Sequence, residues 1–276
     1  MSKSEKTQFI EELVASPVSR REFAKKAMVA GAVGAGVSLI GGAVSKSAAQ
    51  SITDVDILNF ALNLEYLEAE FYTVVTTGRY IADLGIGVGG VGTGGPTTGG
   101  GMVALDDRVL QAARNLANEE QMHVRLLRTA LGNAAIAKPA INLAALNLGY
   151  RNVTEFLILA RAFEDVGVTA YNGAAPLVRD SAILATAASI ALTEAQHAGL
   201  LRYFVYERNI AVPQLDNRDV PPLGSPNGRL FNVDSQGLSL ARTPGQVLAI
   251  VFGSANPGTT SGAFFPGGVN GTIRSV

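Results

Sequence analysis

The chain has 276 residues, of which 47% are apolar, and a formal net charge of −1; that is enough for one large domain or two small ones with a sizeable core. It has no cysteine, which excludes disulfides, thiolate zinc sites and thiol nucleophiles. From Gln50 onward 15 Lys and Arg stand against 19 Asp and Glu, a net charge of −4, and this argues against an electrostatic nucleic-acid binder.

Residues 1–49 read as an address. Ser19-Arg20-Arg21-Glu22-Phe23-Ala24-Lys25 resembles the twin-arginine export motif. An uncharged Gly- and Ala-rich run follows from Ala27 to Ser45, and Ser47-Ala48-Ala49 suits a signal peptidase. The run is just long enough to span a bilayer, so a retained anchor is the alternative. Seven of its residues are Gly or Ser, which favours a cleaved signal peptide. Cleavage before Gln50 leaves no stable membrane span. The mature protein is then expected in the periplasm or outside the cell. The resemblance implies delivery by the twin-arginine machinery, which carries proteins already folded and often with cofactor inserted.

The mature chain opens on a helical segment from about Thr53 to Gly78. Ser51-x-x-Asp54 and Thr53-x-x-Asp56 both fit capping boxes, and Ile57, Leu58, Ala61, Leu62, Leu64 and Tyr72 follow at helical spacing. Gly85 to Gly101 is rich in Gly and Thr and reads as a flexible surface loop; no Gly-Lys-Ser/Thr follows, so it is not a phosphate loop. A second helix runs from about Leu105 to Leu131 and stops at Gly132-Asn133. The connection to Val153 is long enough to cross a bundle. A third helix is expected from about Thr154, its cap, to Asn172, and a fourth from about Ser181 to Arg208, opened by Asp180. Two hairpins joined by one long crossover are the connectivity of a ferritin-like four-helix bundle. This gives an all-α fold, with the bundle over residues 50–208 and a loop-rich extension over 209–276. In the extension one short helix is expected, capped by Thr243, with Pro244 in its first turn and Gly253 at its end. Phe264-Phe265-Pro266 is a candidate anchor onto the bundle.

The chemistry lies in a repeat. Glu120-x-x-His123-x-x-Leu126-Leu127-Arg128 recurs as Glu194-x-x-His197-x-x-Leu200-Leu201-Arg202, and the two histidines are the only ones in the chain. With 13 Glu in 276 residues, both histidines would have Glu three places earlier only about once in 450 chance arrangements. Residues three apart share a helix face, so each pair can bind one metal ion. A dinuclear site needs one further carboxylate from each of the other two helices. Glu65 and Glu164 supply them, and both stand in the pattern Glu-x6-Tyr, ending at Tyr72 and Tyr171. The chain is thus two copies of one hairpin. A metal-free bundle is the alternative, but four buried carboxylates without cations would have to be protonated or exposed.

Here the residues carry a family resemblance. The arrangement is similar to the ferritin-like superfamily, which includes bacterioferritin, rubrerythrin and manganese catalase. "LNFALNLEYLEAEFY" (Leu58–Tyr72) and "RTPGQVLAIVFG" (Arg242–Gly253) look like the exported branch related to plant desiccation-related proteins. The resemblance covers about Ile52 to Gly253. It implies Glu65 and Glu164 as terminal ligands, Glu120 and Glu194 as bridges, and His123 and His197 on one metal each. Tyr72 and Tyr171 would stand behind the ligands. Carboxylates with imidazole suit two Fe or two Mn ions. Glu68, one turn from Glu65, is either an extra ligand, a group behind the ligands, or a surface acid. Glu70 is expected in solvent, and Glu119 and Asp165 at the surface. Arg128 and Arg202 are expected as surface charges or helix-end ion pairs, and Tyr66, Tyr203 and Tyr206 in packing.

The function this implies is redox chemistry with O2 or H2O2, of the ferroxidase, peroxidase or catalase type. The alternative is a metal-binding or desiccation-protective protein whose site is structural. The insertion and the tail argue against packing in a 24-subunit cage, and a homodimer suits the chain better.

Overall fold

The computed structural model describes residues 52–222 and 230–276. The twin-arginine motif, the apolar run and Ser51 lie outside them. Among the described residues there are five α-helices: α1 (Asp54–Thr77), α2 (Asp107–Leu131), α3 (Val153–Ala174), α4 (Ser181–Glu207) and α5 (Pro244–Phe252). None is long and apolar enough to cross a membrane.

Local chemistry sets the helix ends. Thr53 and Asp56 form the capping box of α1, with Asp56 N donating to Thr53 Oγ1 at 3.2 Å and Thr53 N to Asp56 Oδ2 at 2.8 Å. Asp106 caps α2, so that helix begins two residues later than its apolar pattern suggested. The cap of α3 is Asn152 rather than Thr154: its Oδ1 accepts from Glu155 N at 3.0 Å. Asp180 Oδ1 accepts from the amides of Ala182 and Ile183 at the start of α4. Thr243 and Gln246 form a capping box at α5, which ends at Gly253. The short helix of the extension therefore stands as its sequence predicts.

The bundle is built from two helix pairs. α1 packs along α2 and α3 along α4, and α1 meets α3 in the middle while α5 leans on α3. α1 is the central element, buried at every position from Ile57 to Val75 except Ala61. It carries two polar stripes. Glu65, Glu68 and Tyr72 line the face toward the bundle interior. Asn59, Asn63, Tyr66 and Glu70 line another, and these hold loops rather than a metal. Asn59 donates to Ala134 O at 3.0 Å and accepts from Ile136 N at 3.1 Å. Asn63 exchanges hydrogen bonds with the backbone of Asn270, and Tyr66 accepts from Arg128 at 2.6 Å. Glu70 accepts from Thr97 Oγ1 at 2.7 Å and Ile81 N at 3.0 Å, with Lys138 Nζ 3.5 Å away. Glu70 is therefore fully buried, contrary to the expectation of solvent. Loop backbone packed on a bundle must be paired, and this stripe pairs it.

The Gly-rich insertion is mostly exposed, as expected of a surface loop, but it is tied along its length to the crossover. Val91 bridges Ile136, and β1 (Thr97–Thr98) pairs in parallel with β2 (Ile141–Asn142). A Cβ at Gly90 would lie 2.2 Å from Ala135 O, and one at Gly95 2.5 Å from Ala140 N. Here glycine serves close backbone approach as well as flexibility.

The extension straps the far side of α3 and α4. Arg161 and Arg202 both contact Asp165 Oδ2 at 2.7 Å, and Arg161 reaches Asp219 of the extension at 2.5 Å. Arg242 clasps Asp216 at 2.6 and 2.9 Å. Asp165 and Arg202 are thus buried, not at the surface, because the extension covers them with a carboxylate and with the carbonyls of Val220 and Leu230. Phe264 and Phe265 are buried in the core as anchors, whereas Tyr203 and Tyr206 are exposed rather than packed.

Candidate metal centre

Glu65, Glu120, His123, Glu164, Glu194 and His197, one or two from each of α1 to α4, converge inside the bundle, all buried. Two overlapping sets of donor atoms form there: Glu65, Glu120, His123 and Glu194; and Glu120, Glu164, Glu194 and His197. Within each set the atoms lie within 4.8 Å of one another. Glu120 and Glu194 belong to both sets.

The internal distances are regular. His123 Nδ1 lies 3.2 Å from Glu65 Oε2, 3.2 Å from Glu120 Oε2 and 3.3 Å from Glu194 Oε1. His197 Nδ1 lies 3.0 Å from Glu120 Oε1 and 3.2 Å from Glu164 Oε2. One ring nitrogen carries at most one proton and cannot satisfy several oxygens. Accordingly Glu65 Oε2, Glu120 Oε1, Glu164 Oε2, both oxygens of Glu194 and His197 Nδ1 make no hydrogen bond. Buried oxygens left unpaired in this way call for a cation.

The outward atoms are held in a reciprocal pattern. Tyr72 on α1 donates to Glu164 Oε1 on α3 at 2.6 Å, and Tyr171 on α3 donates to Glu65 Oε1 on α1. Each tyrosine fixes one carboxylate oxygen and leaves the other facing inward. The Glu-x6-Tyr spacing makes this pairing: two turns along the helix, the hydroxyl reaches the carboxylate of the neighbouring helix.

Electrostatics describe the same deficit of positive charge. Burial, reinforced by the neighbouring carboxylates, holds Glu194 and Glu68 well above the usual carboxylate range. Burial and then the charge of Glu65 push Glu120 up to about 7. Burial acts the same way on Glu65, but His123 outweighs it and lowers that group. For His197 burial favours the neutral ring, yet Glu120 and Glu164 push it up to about 12. Burial and then the Glu164 and Glu65 carboxylates raise Tyr72 and Tyr171 well above the ordinary phenol range.

Two neighbours of this cluster were not legible in the sequence. Glu119, assigned to the surface, turns back so that Oε2 sits 2.6 Å from His197 Nε2 while its side chain stays 42% exposed. Gly167 stands where a Cβ would lie 2.5 Å from Glu194 Oε2 and 3.2 Å from Glu68 Oε1. Glu68 is buried beside the cluster, not on the surface. The Glu-Glu pair preceding His123 could have signalled the first of these; a lone helical glycine carries no such signal.

A helical bundle that gathers four carboxylates and two imidazoles from paired Glu-x-x-His helices is a ferritin-like protein with a buried cluster suited to metal. The chain belongs to the ferritin-like domain family, whose model matches residues 53–207, the span of α1 to α4. It is similar to the ferritin-like catalase Nec2 of Nesocodon mauritianus, with 26% identity over 269 residues covering 80% of this chain and 84% of that protein. It is also similar to the desiccation-related protein PCC13-62 of Craterostigma plantagineum, 27% identical over 175 residues, 56% of this chain and 54% of that one. These two similarities support the ferritin-like, desiccation-related branch read from Leu58–Tyr72 and Arg242–Gly253.

Proposed function

We propose that this protein holds two Fe or two Mn ions in the α1–α4 cluster and disproportionates hydrogen peroxide, and that it does so in the periplasm or outside the cell. The observation that carries the reading is the pair of donor sets sharing Glu120 and Glu194. Small divalent ions bind N and O at about 2.1 Å, which sets ligands at right angles about 3.0 Å apart. The 3.0–3.3 Å spacings around both imidazole nitrogens match that demand. The unpaired inward oxygens fit it too.

In this reading Glu65, Glu120, His123 and Glu194 would hold one ion and Glu120, Glu164, Glu194 and His197 the other, with Glu120 and Glu194 common to both. The metal pair supplies a store for two electrons, so that one peroxide is oxidised to O2 and a second is reduced to two waters. The chain does the rest. Tyr72 and Tyr171 orient the terminal carboxylates. The buried walls of α1 and α3 exclude bulk water. Glu68, buried beside Glu194 and raised well above the usual carboxylate range by that burial, would relay protons one at a time, giving one to the peroxide being reduced and taking one back from the peroxide being oxidised. The similarity to a protein named a ferritin-like catalase, over most of both chains, supports this choice within O2 and peroxide chemistry. Export rests on the Ser19–Lys25 motif.

The test is metal content of protein exported by its own signal, followed by O2 release from H2O2. About two Fe or Mn per chain with O2 evolution supports the proposal. Two metals with Fe(II) oxidation but no O2 release would make it a ferroxidase. Near-zero metal after anaerobic reconstitution would favour the protective, non-enzymatic role suggested by the desiccation-related relative.

A further inference from the structure

The two hairpins repeat each other, but the repeat is broken at two positions beside the cluster, and both breaks fall on the same side. The residue before each Glu-x-x-His is Glu119 in α2 and Thr193 in α4. Glu119 Oε2 reaches His197 Nε2 at 2.6 Å. Thr193 Oγ1 instead donates to Ser189 O at 3.2 Å, and His123 Nε2 makes no hydrogen bond among the described residues. The residue three places after each terminal carboxylate is Glu68 in α1 and Gly167 in α3. The space a side chain at Gly167 would fill is taken by Glu194 Oε2 and Glu68 Oε1. Glu68 Oε1 and Glu194 Oε2 thus stand together against α3, the helix that carries Glu164.

The set around His197 therefore has Glu120, Glu164 and Glu194, a further carboxylate at Glu68, and an imidazole whose outer nitrogen is backed by Glu119. The set around His123 has Glu65, Glu120 and Glu194 and an unbacked imidazole. A carboxylate behind a metal-bound imidazole fixes the tautomer and raises its basicity, and extra negative charge draws a cation. We infer that the two metal positions are inequivalent, that the position at His197 fills first, and that Glu119 is the positioning residue that sets this order. The inference rests on the dimetal reading.

The experiment is anaerobic titration of the full-length metal-free protein with Mn(II), followed by calorimetry and by electron paramagnetic resonance. The expected result is two binding steps. At one equivalent the signal is that of isolated Mn(II), and the spin-coupled pair grows only during the second equivalent. Glu119→Gln keeps the hydrogen bond but removes the charge, and it should weaken the first step about 10- to 100-fold while the second changes little. Thr193→Glu supplies the His123 side with the missing carboxylate and should narrow the gap between the steps. Because both positions are partly exposed, unchanged circular dichroism is expected for both variants. A coupled signal from the first addition, or two steps unmoved in Glu119→Gln, would overturn the inference while leaving the dimetal reading intact. Failure to bind Mn(II) or Fe(II) at all would end both.

Discussion

The hydroxyl of Tyr72 lies 2.6 Å from Oε1 of Glu164, on a different helix and 92 residues away. This contact ties one hairpin to the other, and Tyr171 with Glu65 repeats it in reverse. Tyr72→Phe leaves the ring packed against Phe71 and Phe156 but frees a buried carboxylate oxygen. Its expected effect is a loss of about 10- to 100-fold in metal affinity, with helical content unchanged. Titration of the variant with Mn(II), beside its circular dichroism, checks this.

Removing a shared ligand should do more than loosen the site. Glu120 serves both donor sets, and His197 anchors one of them. Glu120→Ala or His197→Ala should reduce bound metal from two ions per chain to one or none. Elemental analysis against protein concentration measures it, and full retention in both variants would sink the ligand assignment.

How much of this was legible in the sequence follows from the range of each interaction. The helices, the caps at Thr53, Asp180 and Thr243, and the family depend on spacings within a few turns, so a single sequence carries them. The convergence of Glu65, Glu120, His123, Glu164, Glu194 and His197 could be inferred because the same pattern is written twice. Glu70, Asp165 and Arg202 could not be placed. Glu70 is held by Lys138 and Thr97, and Arg202 by carbonyls of the extension, all from loops whose path no periodicity records. Asp165 pairs with Arg161 one turn earlier on α3, but the burial of that pair depends on Asp219 of the extension. Glu119 was missed for a related reason. A residue beside a ligand points off the face of its own helix, yet it can meet a ligand of the helix opposite.

Metal removal should destabilise the fold. Four buried carboxylates whose inward oxygens lack partners are costly without positive charge. At free metal a hundredfold above the dissociation constant, binding contributes about 2.7 kcal/mol. In a domain of this size that corresponds to a shift in melting temperature of roughly 5–11 °C. Calorimetric scans with and without a chelator test this, and identical transitions would show that no metal is held in the native state.

The extension should loosen in acid through Asp216. Burial raises the pKa of this carboxyl, but the Arg242 guanidinium outweighs it and holds the group below its usual range. A group depressed in the folded state stabilises in full above its unfolded value of about 4, and that contribution is lost as the pH falls through the folded value. The strap should therefore open below about pH 4. Proteolysis of the extension at pH 3 and pH 6 reads this out. Asp216→Asn should remove much of the difference between the two, because the clamp it lacks at pH 3 is already absent at pH 6.

Gly167 gives the sharpest contrast between helix stability and site geometry. In the interior of a helix, Gly→Ala ordinarily stabilises by about 1 kcal/mol, and α3 runs several residues on either side of this position. Yet the new Cβ would stand 2.5 Å from Glu194 Oε2, closer than carbon and oxygen pack. In the metal-free protein Glu194 is the end of a flexible side chain and can move aside, so the gain in helix propensity should largely survive. In the loaded protein Glu194 would be held by both ions and could not yield without losing a bridge. Gly167→Ala should thus leave the melting temperature of the metal-free protein unchanged or raised, while weakening both metal-binding steps. A variant that binds metal as the parent does would mean that Glu194 does not bridge, and the assignment of its role would have to be abandoned.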